Sequence, residues 1–543
     1  MVAVKDRLHG FGCIALLLLI GCSLYLDLSH GMRLGQDRIG YEPIYRFRQS
    51  LAVALSRLHD PPAGRYLAYG SVLNVLNENG FVLFDNEPGP RLDLQGWDAL
   101  LNDGPRLDRI IAAARDAPID AGAAPAIIRA NELGLADYMY VSFRLFGDRI
   151  SSFYYFFFLL VAVTCLFYVL QFRDSPFLLF LLVVFLGELY FLENYAHSYG
   201  AQLNTVSNSR LFSGLSLVPA LHILLLLWRR RPLRAFTVAA VIVQSAIFAF
   251  LLSCRTEAAW QAAMIAAVAC GIGLSSLLRR GDGKQDRLID RLAPLWPAAV
   301  FLLVVFAYST AVYASADRRY AMEPKAHIIW HEVMIGLLRD NMELRRDYLG
   351  GAPRGNPDSD VYTAVIRDLN ARNDASSPIA RRLDDGQLTI DLMGGWAEYD
   401  RLVRSLALRI IRDHPSAVIE GVPAKIGDQI ARYHNPTRHS MDWDNVQVPV
   451  ILIAAGALIC MAAGGFSTSA AMAGGAAAVI AIVLLFAAAT PMIEPSALAI
   501  GTLFCYLGAA AILVPYAAVL LIRAIVRVKS KAEGVSLGAE SLR

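Results

Sequence analysis

The sequence predicts an all-α polytopic membrane protein with about ten transmembrane helices and two long hydrophilic blocks. Of the 543 residues, 56% are hydrophobic and only 18% are charged, and the mean hydropathy is +0.44, which is too apolar for a soluble globular chain. The formal net charge is only +3, and the basic residues gather at the ends of apolar runs rather than in a stripe. A nucleic-acid partner is therefore not expected.

Ten runs of about 17 to 25 apolar residues are candidates for membrane spans. They lie near residues 10–27, 151–171, 176–193, 211–228, 235–253, 259–278, 292–314, 447–464, 473–490 and 497–522. Lys and Arg fall in alternate connections, as the positive-inside bias requires when the N-terminus is cytoplasmic. We therefore expect a multi-pass protein of the bacterial cytoplasmic (inner) membrane, with both termini in the cytoplasm.

The spans divide the chain into six segments. These are a cytoplasmic N-terminus with the first span (1–27), a first periplasmic loop with juxtamembrane helices (28–150), a six-span bundle (151–314), a second periplasmic, mainly helical domain (315–446), three C-terminal spans (447–522) and a basic cytoplasmic tail (523–543). The Leu19-Ile20-Gly21-Cys22 stretch is similar to a bacterial lipoprotein signal. Because the apolar run continues to Leu26, an uncleaved first span is favoured.

Hydrophobic periodicity and turn residues predict the elements of the two blocks. In the first block we expect a helix along the membrane interface from Tyr41 to His59, a short strand from Gly80 to Phe84, and helices over 97–116 and 131–147, the last ended by Gly147. In the second block we expect helices over 327–348, 360–370, 397–413 and 416–433.

Three acids follow one another where the first span meets the first block: Asp27, Asp37 and Glu42. Asp27 is expected only to end the span. A carboxylate at a low-dielectric surface gains basicity by desolvation and can take a proton from an attacking hydroxyl, so Asp37 and Glu42 are candidates for acid-base chemistry. The structural alternatives are a helix cap for Asp37 and a first-turn residue favourable to the helix dipole for Glu42.

Basic side chains near the outer ends of the spans are candidates for binding phosphate, because they would stabilise negative charge on a departing group. The candidates are His197, Arg210, Arg318, Arg319, Lys325 and His331. His331 has an alternative as an interfacial residue beside Trp330. Glu188, Glu193 and His222 lie at or near membrane depth, where ionisable groups usually face a cavity or a partner. No Cys/His spacing typical of a metal site is present.

With these residues in place, the layout resembles the GT-C class of membrane glycosyltransferases over roughly residues 10–330. Members of that class have one span, a large outer loop with a catalytic carboxylate and juxtamembrane helices, six more spans and a further outer domain. The phrase Ala136-Asp-Tyr-Met-Tyr-Val-Ser-Phe-Arg-Leu-Phe-Gly147 looks like the helix before the second span of the class. The resemblance implies that Asp37 is the catalytic base, because the class's loop carboxylate maps best onto it. The class often has adjacent acids at that position, whereas Asp37 is followed by Arg38 and the next acid is Glu42.

The resemblance implies an inverting glycosyltransferase that moves a sugar from a polyprenyl-phosphate carrier to an envelope glycan or lipid on the outer face of the membrane. A polyprenyl-phosphate sugar would be the donor, membrane lipid would surround the site, and a requirement for a divalent metal is left open. Two alternatives remain. One is an enzyme like an O-antigen ligase or polymerase, and the other is a non-catalytic protein of envelope transport or assembly.

Overall fold

Helices dominate the structure, a computed structural model. It describes residues 2–37, 44–59, 66–82, 89–92, 103–119, 126–127, 133–198, 210–229, 234–255, 258–278, 292–316, 329–339, 341–350, 357–390, 396–416, 418–420, 443–466 and 513–522, with a few isolated positions besides. Within these residues, five helices are long and apolar enough to cross a membrane: Asp6–Ser29, Ser151–Phe172, Ala235–Cys254, Gln261–Leu278 and Ala293–Ala314. The prediction of a mainly helical membrane protein is confirmed to this extent.

Other predicted spans correspond to shorter apolar helices or fall outside the described residues. The shorter helices are Pro176–Tyr190, Leu217–Trp228, Gln447–Ala462 and Leu513–Ile522. The predicted span at 473–490 lies outside the described residues.

The first helix, α1, runs unbroken over Val2–Asp37. Its apolar part ends at Ser29, and the remaining eight residues add roughly 12 Å at the helical rise of 1.5 Å per residue. Asp27, which was expected to end the first span, lies two residues before the end of the apolar part, and the helix itself continues ten residues beyond Asp27.

The first block consists of short elements around a shared core. They are α2 (Ile44–His59), β1 (Leu67–Ala68), α3 (Gly70–Glu78), α4 (Gly104–Arg115), β2 (Ala126–Ile127) and α5 (Leu133–Phe146). β1 and β2 pair in antiparallel register, with Leu67 opposite Ile127. Asp103 caps α4 by accepting a hydrogen bond from the backbone N–H of Arg106 at 2.9 Å.

Two expectations for this block need correction. The predicted interfacial helix forms as α2, but Phe47, Arg48 and every residue from Ser50 to Ser56 are buried, so α2 is a core helix packed against α5. The described part of the predicted strand, residues 80–82, forms no strand. Gly80 has a positive φ of 98° and ends the α3 turn instead.

The bundle follows at Gly147, whose φ of 88° lets the chain turn sharply out of α5. Its helices are α6 (Ser151–Phe172), α7 (Pro176–Ser198), α8 (Arg210–Leu215), α9 (Leu217–Arg229), α10 (Ala235–Cys254), α11 (Ala259–Leu278) and α12 (Trp296–Ala314). α1 packs along α7 and α6, and α10 packs along α12. Apolar side chains surround most of these helices, as expected for helices that face lipid as well as protein.

The second block has a separate hydrophobic core. Its elements are α13 (Ile329–Arg339), α14 (Met342–Leu349), α15 (Pro357–Arg372), β3 (Ala380–Arg382), β4 (Leu388–Ile390) and α16 (Trp396–Asp413). The single helix predicted over 327–348 is two helices, because the Asn341 side chain caps α14 by accepting from the backbone N–H of Leu344 at 2.9 Å. The predicted helix at 416–433 lies almost wholly outside the described residues.

The last long helix, α17 (Trp443–Ala462), returns to the bundle and packs against α7 and α1. Contacts at one end of the bundle show which helix ends lie together. His9 Nε2 lies 3.2 Å from the backbone oxygen of Asp174, and a Cβ on Gly12 would lie 2.4 Å from the Cβ of Ala463. The start of α1, the α6–α7 turn and the end of α17 therefore share one end. The first block, and the return of the chain from the second block, lie at the opposite end.

Candidate functional site

Of the eight side chains predicted to act in catalysis or phosphate binding, the structure describes only that of His331. Backbone positions are described for Asp37, the last residue of α1, for His197 near the end of α7 and for Arg210, the first residue of α8, but their side chains are not. The remaining predicted positions outside the described residues are Glu42, Arg318, Arg319 and Lys325. Their catalytic and phosphate-binding roles stay predictions.

His331 has a described side chain, which lies inside the second block. It is 7% exposed, and its Nδ1 is 2.7 Å from the hydroxyl of Tyr399 on α16. The ring centroids of Tyr362 and Tyr399 lie 5.4 and 5.9 Å from that of His331. His331 thus joins α13 to α15 and α16 through aromatic contacts, and its role in phosphate binding stays a prediction.

A buried ion pair organises the first block. On α5, the Asp137 carboxylate binds the Arg57 guanidinium of α2 and accepts a hydrogen bond from the Tyr66 hydroxyl at 2.7 Å. The Asp137 side chain is 6% exposed and that of Arg57 is 18% exposed. The guanidinium also lies 4.0 Å from the ring centroid of Tyr140. We call Arg57, Tyr66 and Asp137 the Asp137 anchor.

Sequence reasoning missed the Asp137 anchor. Asp137 appeared only within the phrase that carries the resemblance, although a single acid in an otherwise apolar stretch of a helix is a signal that it has a buried partner. Tyr66 adopts a positive φ of 73°, a conformation that non-glycine residues rarely take. The hydrogen bond to Asp137 is one of the contacts that hold it there.

α5 connects the Asp137 anchor to the bundle by direct contact. A Cβ on Gly134 would lie 2.3 Å from the backbone carbon of Ser253 and 2.5 Å from the nitrogen of Cys254, so α5 and the end of α10 touch backbone to backbone. The Tyr138 hydroxyl donates to the backbone oxygen of Phe153 in α6. The first block is therefore docked tightly on the bundle.

A second set of contacts holds α4 at the α5–α6 turn. Asp108 accepts a hydrogen bond from the backbone N–H of Ile150 at 2.8 Å, and Arg115 pairs with Asp148. Arg115 also donates to Asp116 at 2.8 Å, which holds the pKa of that carboxyl below its ordinary value. The turn that starts the bundle is thus fixed from the side of the first block.

Three polar side chains meet in the bundle interior. Gln244 of α10 donates its amide N–H to the backbone oxygen of Thr164 at 2.9 Å, and the same nitrogen lies 3.1 Å from His222 Nδ1. Because the amide nitrogen can only donate, His222 accepts at Nδ1 and carries its proton at Nε2. Within the described residues, His222 Nε2, Gln244 Oε1 and Thr164 Oγ1 are buried without a hydrogen-bond partner.

Two acids lie in the same interior. Asp27 of α1 is 0% exposed and neither carboxylate oxygen has a partner among the described residues, and Glu188 of α7 is 4% exposed with Oε1 also unpartnered. As expected for an ionisable group at membrane depth, His222 has a partner on a neighbouring helix, the side chain of Gln244. The side chain of Glu193 lies outside the described residues.

One group of possible metal ligands occurs among the described residues. Glu343 and Asp347 lie one helical turn apart on α14, and one ligand atom from each falls within 4.8 Å of one on His414. Both carboxylates are exposed. Such surface clusters are common, and no described contact links this group to the bundle.

Comparison with known proteins gives no relative. No family model matches the chain, and neither a curated protein nor a solved structure matches it.

Proposed function

We propose that the protein is an inverting glycosyltransferase of the GT-C type in the bacterial inner membrane, with about ten transmembrane helices and both termini in the cytoplasm. It takes a sugar from a polyprenyl-phosphate carrier and transfers it to an envelope glycan or lipid at the outer face. The observation that carries the proposal is that α1 extends beyond its apolar part. The apolar part ends at Ser29, whereas the helix ends at Asp37.

This extension suits a base that acts on a membrane-anchored donor. The backbone of Asp37 lies roughly 12 Å along the helix beyond the end of the apolar part, just outside the interfacial layer of a bilayer, which is about 5–8 Å thick on each side. The phosphate of a polyprenyl carrier lies within that layer. A base at the end of α1 would therefore stand on the water side of the bond to be broken, where an acceptor hydroxyl can approach.

The docked first block supports the same proposal. Catalysis requires groups held within about half an ångström of productive geometry by rigid surroundings. The Asp137 anchor and the backbone contact of Gly134 with α10 provide such rigidity at the end of the bundle where α1 ends. A site between α1 and the first block would therefore keep its shape when the carrier lipid binds.

The chemistry follows from the residue types. Asp37 takes the proton of the acceptor hydroxyl while the hydroxyl oxygen forms a bond to the anomeric carbon. The bond from that carbon to the phosphate oxygen breaks at the same time. Attack from the opposite face inverts the anomeric centre. Negative charge develops on the departing polyprenyl phosphate. Arg210, Lys325 and the other basic residues predicted to bind phosphate would stabilise that charge.

The test is the envelope glycan profile of a deletion strain complemented with variants. Wild-type protein and Asp6→Asn should restore a sugar that the deletion strain lacks, whereas Asp37→Asn, present in the membrane at the same level, should not. Asp6 is the matched control because it is an exposed acid near the other end of the same helix. Identical glycans in the deletion strain and its parent would contradict the proposal.

A further inference from the structure

Asp27 is an acid in a place where an acid is costly. It lies within the apolar part of α1, two residues before that part ends at Ser29. Its side chain has no exposure, and both carboxylate oxygens are buried without a hydrogen-bond partner among the described residues. Nothing in the glycosyl-transfer chemistry proposed above uses this residue.

Burial determines which form of the carboxyl this position accommodates. An ionised carboxylate without a partner loses far more solvation free energy on burial in a protein interior than a neutral carboxyl without a partner does. The difference favours a proton on Asp27 while the surrounding helices stay closed.

The helices packed against α1 offer no described positive charge to replace that proton. On α6, Cys165 is 1% exposed and lies within electrostatic range of Asp27. On α7, Glu188 is itself a buried acid, and on α17, Cys460 lies near Cys13, toward the other end of α1. Thiols and a second carboxyl cannot balance a carboxylate.

We propose that Asp27 is a proton-binding site within the membrane, closed by α1 and α6 and exchanging its proton with the end of the bundle that bears the hydrophilic blocks. When the helices are closed, the carboxyl holds the proton. When water reaches the α1–α6 contact, the O–H bond breaks, the proton passes to water and the carboxylate is hydrated. Proton binding therefore favours the closed arrangement, and the proposal is independent of glycosyl transfer.

Infrared difference spectroscopy of the purified full-length protein in lipid tests this inference. At neutral pH, the wild type and Asp6→Asn should show the carbonyl stretch of a protonated carboxylic acid that Asp27→Asn lacks. Glu188→Gln separates any band from the second buried acid. In D2O the Asp27 band should shift, which shows exchange with solvent.

Several results would overturn the proposal. Matching spectra of the wild type and Asp27→Asn would mean that Asp27 is ionised, and a band unchanged after prolonged D2O exposure would mean that the proton does not exchange. Loss of the band on adding Na⁺ at constant pH would indicate a metal-cation site instead. If Asp27→Asn does not fold, Asp27→Glu replaces it and should move the band without removing it.

Discussion

The carboxylate of Asp137 binds the guanidinium of Arg57, 80 residues earlier in the chain, and thereby joins α5 to α2 in the first block. The same carboxylate accepts a hydrogen bond from Tyr66 at 2.7 Å. This contact matters for function because α5 is also the helix that touches the bundle. Loss of the ion pair should loosen the first block where α1 ends.

Substitutions at the Asp137 anchor should therefore form a graded series. Tyr66→Phe removes one hydrogen bond and should lower the free energy of unfolding by about 1 kcal/mol. Asp137→Ala leaves a partly buried guanidinium unpaired and should cost about 3 kcal/mol. Thermal unfolding in detergent, with hydrogen–deuterium exchange of α2 and α5, measures both effects. The control is Arg109→Ala, an exposed site on α4, and equal stability of Asp137→Ala and this control would refute the assigned role.

Gly134→Ala should undock the first block from the bundle. The added Cβ would lie 2.3 Å from a backbone carbon of α10, and neither backbone can move aside without shifting its helix. We expect a loss of about 2 kcal/mol or more and faster protease cleavage between α5 and α6. Gly70→Ala is the matched control, since a Cβ there meets nothing within 4 Å. Equal cleavage rates for the two variants would show that α5 and α10 are not in close contact.

Gln244→Leu should destabilise the bundle modestly. It removes the hydrogen bond to Thr164 and the contact with His222, and polar contacts between membrane helices contribute roughly 0.5–1.5 kcal/mol. The measurement is unfolding in mixed micelles, compared with Ile242→Leu at a lipid-facing position of the same helix. If Gln244→Leu proves as stable as that control, these polar contacts do not hold α6, α9 and α10 together.

The second block should lose stability in acid through Glu398. Arg401 donates to its carboxylate at 2.7 Å, and this hydrogen bond lowers the pKa of Glu398 from its ordinary value. A lowered folded-state pKa gives stability that is present above the unfolded pKa of about 4.3 and is lost as the pH falls through the folded pKa. The Glu398 side chain is only 16% exposed, but that of Arg401 is 67% exposed. The ion pair therefore contributes about 1 kcal/mol or less to the free energy of unfolding.

Hydrogen–deuterium exchange of α16 checks this pH dependence. At pH 7, Glu398→Gln should exchange faster than the wild type, and the difference should shrink as the pH falls below about 4.3 and vanish once the pH is below the folded-state pKa of Glu398. Asp384→Asn, at an exposed turn position, is the control. A difference that persists unchanged in acid would exclude Glu398 as the source.

The elements that could be predicted from the sequence are those whose signals lie within a few neighbouring residues. Leu133–Phe146 forms as a helix ended by Gly147, because an amphipathic repeat and a glycine with positive φ occur together. The β3–β4 hairpin has the same kind of signal in Asp385-Gly386, where Gly386 has a φ of 83°. The helix break before Met342 depends on the Asn341 cap. Because the apolar pattern continues through this break, the sequence predicts one helix where the structure has two.

The features that sequence reasoning missed depend on contacts between distant residues. Nothing near Asp137 indicates Arg57, and nothing near Asp27 reveals that its carboxyl is buried. Burial of α2 likewise follows from its packing under α5, which an amphipathic pattern at a membrane surface does not distinguish from an interfacial helix.

Turnover of a lipid-linked sugar by the purified protein tests the proposed function most directly. Proteoliposomes would receive a panel of polyprenyl phosphates carrying labelled hexose, pentose or amino-sugar groups, together with membrane extract from the deletion strain as acceptor. The wild type and Asp6→Asn should move label from one carrier to the acceptor, and Asp37→Asn should slow this transfer by about 100-fold or more, the usual contribution of a general base. Transfer by Asp37→Asn at the wild-type rate, or no transfer by the wild type from any carrier, would contradict the account.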